Sequence, residues 1–267
     1  METIFLKLGG SIITDKTQAG MARVDVIRRL AREVRAALDA RSAMRLVLGH
    51  GSGSFGHVEA KKHGTRDGVR NAAGWIGFAE VAASAARLNQ ILTDIFIEER
   101  VPVISLPPSA SARCVDGVLT YLDTVALHVH LRNRLVPLVH GDVALDTARG
   151  ATIVSTEDVL AYLASEIEPD RVLLAGEVAG VYPSADMTGA VIPLITPATV
   201  EQFASALGGS HGVDVTGGMV AKVRQMIEWV RAHPRTSARI FSAAAAGTLE
   251  RVLIDPNAPI GTEIRSE

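Results

Sequence analysis

Ile4-Phe5-Leu6-Lys7-Leu8-Gly9-Gly10-Ser11 is the stretch from which the rest of the chain is read. Four of its first five residues are apolar and a glycine pair follows, the pattern of a short buried strand that ends in a turn. Lys7 interrupts that strand just before the glycines. A buried ammonium needs an anionic partner, so Lys7 reads as a functional cation rather than a solvated surface lysine. Downstream, residues 24–39 carry Ile27, Leu30, Val34 and Leu38 at helical spacing, with Arg28, Arg32, Glu33 and Arg35 elsewhere. A second short strand, 46–48, runs straight into another glycine cluster.

The same alternation continues outward. Strands are predicted at 101–106, 135–139, 171–175, 191–195, 238–241 and 260–264. Helices are predicted at 76–100, from Ser155 or Thr156 to about 165, at 199–207 and at 219–232. A hairpin is expected within 109–124, around the turn dipeptide Asp116-Gly117. Repeated strand–helix alternation implies an α/β fold with a mostly parallel sheet covered by helices on both faces. No internal repeat and no long linker divides the chain, and a soft lobe boundary is placed at Glu168-Pro169-Asp170.

The chain has 267 residues, 48% of them hydrophobic, and a formal charge of −2. A sizeable core is available. No basic stripe points to nucleic acid, and no run approaches the roughly 18 to 20 apolar residues of a membrane helix. The first apolar run is too short for a secretory leader. A soluble cytoplasmic protein acting on a small molecule is expected. The single cysteine, Cys114, has no partner for a disulfide or a Cys-rich zinc site and reads as structural.

Glycine clusters stand where strands end: Gly9-Gly10, then 49–57 (Gly-His-Gly-Ser-Gly-Ser-Phe-Gly-His), then Gly141-Asp142, then 214–219 (Asp-Val-Thr-Gly-Gly-Met). Open parallel sheets bind ligands at the carboxyl ends of their strands, and glycine admits close approach of backbone amides to anionic oxygens. One such pair is often only a tight turn, but four of them beside lysines fit phosphates better. There is no Walker A motif and no protein-kinase signature. The 51–56 segment also fits G-x-G-x-x-G, yet no clear acidic ribose partner appears about 20 residues on.

Taken in order, K-L-G-G-S at 7–11, G-H-G-S-G-S-F-G-H at 49–57, G-D-V at 141–143 and D-V-T-G-G-M-x-x-K at 214–222 resemble the amino acid kinase superfamily. The S-F-G-H ending at His57 is similar to the isopentenyl phosphate kinases and the related fosfomycin kinases. The resemblance implies a single domain over 1–267, built as a three-layer αβα sandwich with a mostly parallel open sheet. Its lobes would be 1–169, for the acceptor and dimer contacts, and 170–267, for the nucleotide. It implies transfer of the γ-phosphoryl group of ATP, with Mg²⁺, onto isopentenyl phosphate by a homodimer, with fosfomycin or another small phosphate or phosphonate as the alternative acceptor and a non-catalytic nucleotide-binding sensor or storage protein as the distant alternative.

By the same resemblance, Lys7 contacts the transferring phosphate, Lys16 reaches across it and Lys222 binds ATP phosphates. Gly9, Gly10, Ser11, Gly53, Asp214, Thr216, Gly217 and Gly218 serve the nucleotide. Gly51, Ser52, Gly53, His57 and Gly141 serve the acceptor, with His57 on its existing phosphate, and Asp142 holds the catalytic lysines. Plain alternatives stand beside these roles: an exposed loop residue for Lys16, a helix-terminal residue for His57, a turn cap for Asp142. The other histidines read as surface or packing residues. Trp75, Ile76, Phe78, Ala79, Val81, Ala82 and Ala83 are candidates for an apolar acceptor pocket or for ordinary helix packing. The chain departs from the family where a T-D-V-D-G-like segment is common, reading Gly176-Glu177-Val178-Ala179-Gly180.

Overall fold

β1 (Thr3–Leu8) lies inside an eight-stranded sheet and owes that place to its apolar run. The computed structural model describes residues 1–184, 186–202 and 218–267, with the side chains of 57–59 and 61 outside that description. α1 (Gly10–Ile13), α2 (Val24–Ala40), β2 (Arg45–His50), α3 (Gly53–His63) and α4 (Ala72–Glu98) follow in turn. Next come β3 (Val103–Ser105), β4 (Arg113–Val115), β5 (Val118–Tyr121), α5 (Val125–Arg132), β6 (Val136–His140), β7 (Asp142–Asp146) and β8 (Gly150–Val154). α6 (Thr156–Glu166), β9 (Arg171–Gly176) and β10 (Leu194–Ile195) lead to α7 (Gly218–Ala232), β11 (Ser237–Ser242), α8 (Thr248–Ile254) and β12 (Thr262–Ile264).

The large sheet has the order β10-β12-β11-β9-β1-β2-β6-β3. The strands from β11 to β3 are mutually parallel, and β12 runs antiparallel to β11. β2 lies on one side of β1 and β9 on the other, so the order of strands reverses at β1. That switch point is where open α/β sheets leave a crevice above their carboxyl ends. The sheet crosses 169–170 unbroken, because β1 pairs with β9. One core cluster packs α2 and α4 against one face of the sheet, with Ile27, Leu30, Val34, Leu88 and Leu92 among its members. The other includes Val159 and Leu163 of α6 and Val223, Met226 and Val230 of α7.

The mostly parallel sheet and the hairpin are as expected, and three details go beyond or correct the sequence reading. First, β7, β8, β4 and β5 form a separate four-stranded sheet that was not foreseen, with one parallel pairing. Asp116 (φ 49°) and Gly117 (φ 83°) close its β4–β5 hairpin in left-handed conformations, as a type I′ turn requires. Second, the helix expected from residue 76 starts at Ala72, because Asn71 caps it by accepting the Gly74 amide. Third, β3, β10 and β12 are shorter than their apolar runs. Most of the helix expected at 199–207 lies outside the described residues. Cys114 is buried, and desolvation, with Asp146 and Asp158 nearby, pushes its thiol up to about 11, as a structural cysteine should be. Among the described residues no helix is long and apolar enough to cross a membrane.

The first two glycine loops press backbone against backbone. A Cβ on Gly10 would stand 2.4 Å from the Gly53 nitrogen, and one on Gly51 would stand 2.7 Å from the Gly10 nitrogen. Gly53 itself has φ +48°, with Thr14 Oγ1 2.0 Å from where a Cβ would sit. Thr14 Oγ1 donates to the Gly10 carbonyl and accepts from the Ser54 amide, which fastens α1 to α3. Gly10→Ala should therefore cost about 2 kcal/mol or more of stability, seen as a lower urea midpoint at unchanged slope. Gly176→Ala, with open space around its Cβ position, serves as the control. Equal midpoints for the two variants would show that the loops are not in contact.

Candidate active site

Lys7 reaches the carboxyl end of β1 with Gly49 of β2 and Leu174 of β9 as its register neighbours. Its ammonium is largely buried and donates to Glu157 of α6. Glu157 is placed there by the capping of α6. Ser155 accepts the Asp158 amide while the Asp158 side chain accepts from the Ser155 amide, and this capping box holds the first turn of the helix. Thr156 adds a bond from its hydroxyl to the His50 carbonyl at 2.7 Å, tying α6 to the end of β2.

Charge is unevenly shared in this crevice. Desolvation lowers the pKa of Lys7, Glu157 opposes that shift by charge and hydrogen bond, and the field of Lys222 adds to it. Burial also opposes ionisation of Glu157, but Lys7, by charge and hydrogen bond, and Lys222 together hold its carboxyl below the ordinary range. The folded-state pKa of Glu157 is thus below its unfolded value. Its stabilisation is present above the ordinary carboxylate range and is lost as pH falls through the lowered value. Two ammonium groups act on Glu157, with the carboxylate of Asp158 reaching Lys7 more weakly.

The other anticipated residues are distributed as follows. Lys222 lies in the first turns of α7 and is half-buried. Lys16 projects from the 14–23 loop, is 69% exposed and stands 3.7 Å from Glu177, which also pairs with Arg23 at 3.1 Å. Gly9 donates its amide to the Ala175 carbonyl, and Gly51 donates to Leu8. Those two amides are spent on the scaffold. Gly10 and Ser11 open α1, Ser52 is the N-cap of α3 and Gly53 its first residue, so unsatisfied helix amides remain there. His57 lies in α3, its side chain outside the described residues. Asp214, Thr216 and Gly217 also lie outside them, while Gly218 begins α7. Gly141 packs against the start of α6, where a Cβ would meet the Thr156 nitrogen at 3.3 Å.

The carboxylate that holds Lys7 is Glu157, not Asp142. Asp142 is buried and accepts the amides of Ser109 at 3.1 Å and Val143 at 2.8 Å. Its pKa is raised by burial, which outweighs those bonds. Asp142 fastens the start of β7 to the turn before β4. Of the suggested apolar pocket, Val81 is core, Trp75, Ile76, Ala79 and Ala83 are exposed, and Trp75 meets Phe78 edge-on at 5.3 Å.

The profile of the amino acid kinase family matches residues 2–242. Isopentenyl phosphate kinase of Haloferax volcanii is 40% identical over 237 residues, covering 85% of this chain and 88% of the relative. The isopentenyl phosphate kinase of Methanocaldococcus jannaschii is 35% identical over 224 residues, covering 82% and 84%. Among solved structures, isopentenyl phosphate kinase superimposes with a TM-score of 0.80 at 28% identity, covering 98% of this chain and all of the other. An isopentenyl phosphate kinase substrate complex reaches 0.75 at 25% identity, with 98% of this chain covered.

Glu157→Gln removes the charge and the ionic hydrogen bond that most favour the charged form of Lys7, and leaves the weaker field of Asp158, desolvation and Lys222 in place. The Lys7 amine should then lose its proton at lower pH than in the parent. The pH dependence of its acylation, followed by peptide mass spectrometry, measures this. An unmoved midpoint would show that Glu157 does not control the charge of Lys7.

Proposed function

The chain belongs to the amino acid kinase family, and we propose that it transfers the γ-phosphoryl group of ATP to isopentenyl phosphate, giving isopentenyl diphosphate and ADP. The observation that carries the reading is the placement of Lys7: a buried cation at the switch point of the sheet, just before the first glycine loop, beside Gly49 and within the field of Lys222. Relatives named isopentenyl phosphate kinase, at up to 40% identity over 85% of this chain, supply the acceptor. They favour it over a phosphonate acceptor.

The chemical difficulty is to bring two phosphate anions together. An oxygen of the acceptor monoester attacks the γ-phosphorus as the bond to the bridging oxygen of ADP breaks. That oxygen is already anionic near neutral pH, so no general base is needed. Charge spreads over the equatorial oxygens of the transferring group. The Lys7 ammonium, fixed by Glu157, is preorganised to meet that charge. Lys222 serves the nucleotide phosphates, Lys16 turns from Glu177 toward the transferring group, and His57 donates to the phosphate that the acceptor already carries. The helix amides at Gly10, Ser11, Ser52 and Gly53 add positive potential. The segment 214–217 would complete the nucleotide side.

Mg²⁺ would travel with ATP, ligated chiefly by phosphate oxygens and water. Among the described residues no cluster of three or more His, Cys, Asp or Glu stands ready to cage a metal. The lobes on either side of residues 169–170 divide the work, acceptor first and nucleotide second. A cytoplasmic homodimer belongs to the same reading, and the exposed Ala79, Ala83 and Ala86 give α4 a shallow surface for close packing.

ADP release with Mg²⁺-ATP should be fast with isopentenyl phosphate, compared against dimethylallyl phosphate, geranyl phosphate and fosfomycin. Lys7→Met should lower kcat by about 100-fold or more, and His57→Ala should raise the acceptor KM more than the ATP KM. Turnover of fosfomycin alone, or of no prenyl phosphate, would overturn the reading.

A further inference from the structure

His50 and His140 are used by none of the steps above, yet both are buried, at 1% and 2% exposure. They end β2 and β6 as register partners, and their rings stack with centroids 5.2 Å apart and planes within 10°. Each imidazole also reaches outward along its edge. His50 Nδ1 lies 3.2 Å from the Gly51 carbonyl oxygen, and Nε2 lies 3.2 Å from the Asn89 amide of α4. Asn89 continues to Ser105 Oγ at 2.6 Å. His140 Nε2 is 3.6 Å from Asp142 Oδ2, and its buried Nδ1 meets no protein partner.

Both rings are neutral. Burial, with His140 and Lys7 adding to it, takes the pKa of His50 down to about 3, and burial alone takes His140 to about 4. A neutral imidazole has one N–H. With an amide oxygen of Asn89 facing Nε2 and the Gly51 oxygen facing Nδ1, His50 would need two. The consistent arrangement gives the proton to Nδ1, donated to Gly51, and turns the Asn89 NH₂ toward Nε2, with its oxygen accepting the Ser105 hydroxyl. An aliphatic pair would fill the same space but would leave the Gly51 carbonyl without the His50 N–H, whereas His140 contributes its ring face, its Nε2 standing 3.6 Å from Asp142, beyond hydrogen-bond reach. A cationic pair would crowd Lys7. The arrangement is therefore polar and uncharged.

Resting on the phosphate-acceptor reading of the 51–57 turn, we propose that His50 and His140 are positioning residues for the acceptor: a stacked neutral pair that locks the Gly51 turn and the Gly141-Asp142 turn at a fixed separation beneath the acceptor phosphate. The pair touches no reacting atom and works through the two turns it holds.

The test compares His140→Ala with His140→Phe, which keeps a neutral stacked ring. His140→Ala should raise the acceptor KM about tenfold or more while kcat and the ATP KM stay within about threefold, and His140→Phe should recover most of that loss. A fall in melting temperature with an unchanged acceptor KM, or an equal rise in both KM values, would overturn the proposal. A second measurement needs no turnover. In the unaltered protein, ring-nitrogen NMR should find both histidines neutral from about pH 5.5 to about pH 8, and titration with inorganic phosphate should shift the His50 ring and the Gly51 amide. Absence of turnover of isopentenyl phosphate with these shifts intact would sink the substrate assignment and leave the pair standing. Turnover without any response of the ring to phosphate would sink the pair alone.

Discussion

The structure depends on an ammonium that the fold has placed where ammonium groups are costly. Lys7 stands in the middle of the large sheet, and desolvation works against its charge. Only an anion can stabilise it there, and Glu157 supplies one from the first turn of α6. The remaining features follow from keeping that pair aligned. The capping box of α6 fixes the direction of Glu157, and Thr156 fastens the same turn to β2 through the His50 carbonyl. Breaking such a pair by removing one member typically costs about 3 to 5 kcal/mol, so the alignment serves stability as well as chemistry. A second ammonium, Lys222, acts on the same carboxylate, so the crevice gathers two cations around Glu157.

The glycines have a role beyond their sequence reading. Strand-end glycines were expected because amides can come close to anions there. Gly10, Gly51 and Gly53 are needed first because the two loops touch, with no room for a methyl group between them. That contact brings the ends of β1 and β2 together before any ligand arrives. The amides of Gly9 and Gly51 are consumed in holding the loops to the sheet, so they are not free to meet an anion.

Much of this was legible in the amino-acid sequence. The apolar strands, the amphipathic α2, the Asp116-Gly117 turn and the Ser155 cap are local signals, and each produced the element expected from it. Lys7 was legible because a charge within a strand is conspicuous. Glu157 was not, because an acidic residue in the first turn of a helix is accounted for by the helix dipole alone. Its partner lies 150 residues away, a separation that no local pattern encodes. Asp142 attracted the role instead because it follows a strand and a glycine. The small sheet was missed for a related reason: β7 and β8 are short, and their pairing with the β4–β5 hairpin is set by tertiary contact. His50 and His140 are ordinary residues in sequence, and only the parallel register of β2 and β6 stacks them.

The lysines differ in how firmly they are held, and the difference suits the work proposed for each. Lys7 is bound to a largely buried carboxylate on the sheet's own helix layer. Lys16 stands on an exposed loop, and its contact with Glu177 is long and solvated. Such a pair contributes about 0 to 1 kcal/mol, so Lys16 can leave it for a phosphate at little cost. Glu177 keeps Arg23 when Lys16 departs, and the carboxylate is not stranded. A fixed cation at the centre and a loosely tethered one at the rim suit a reaction in which two anions enter from solvent and charge must be met at one point only after both are seated.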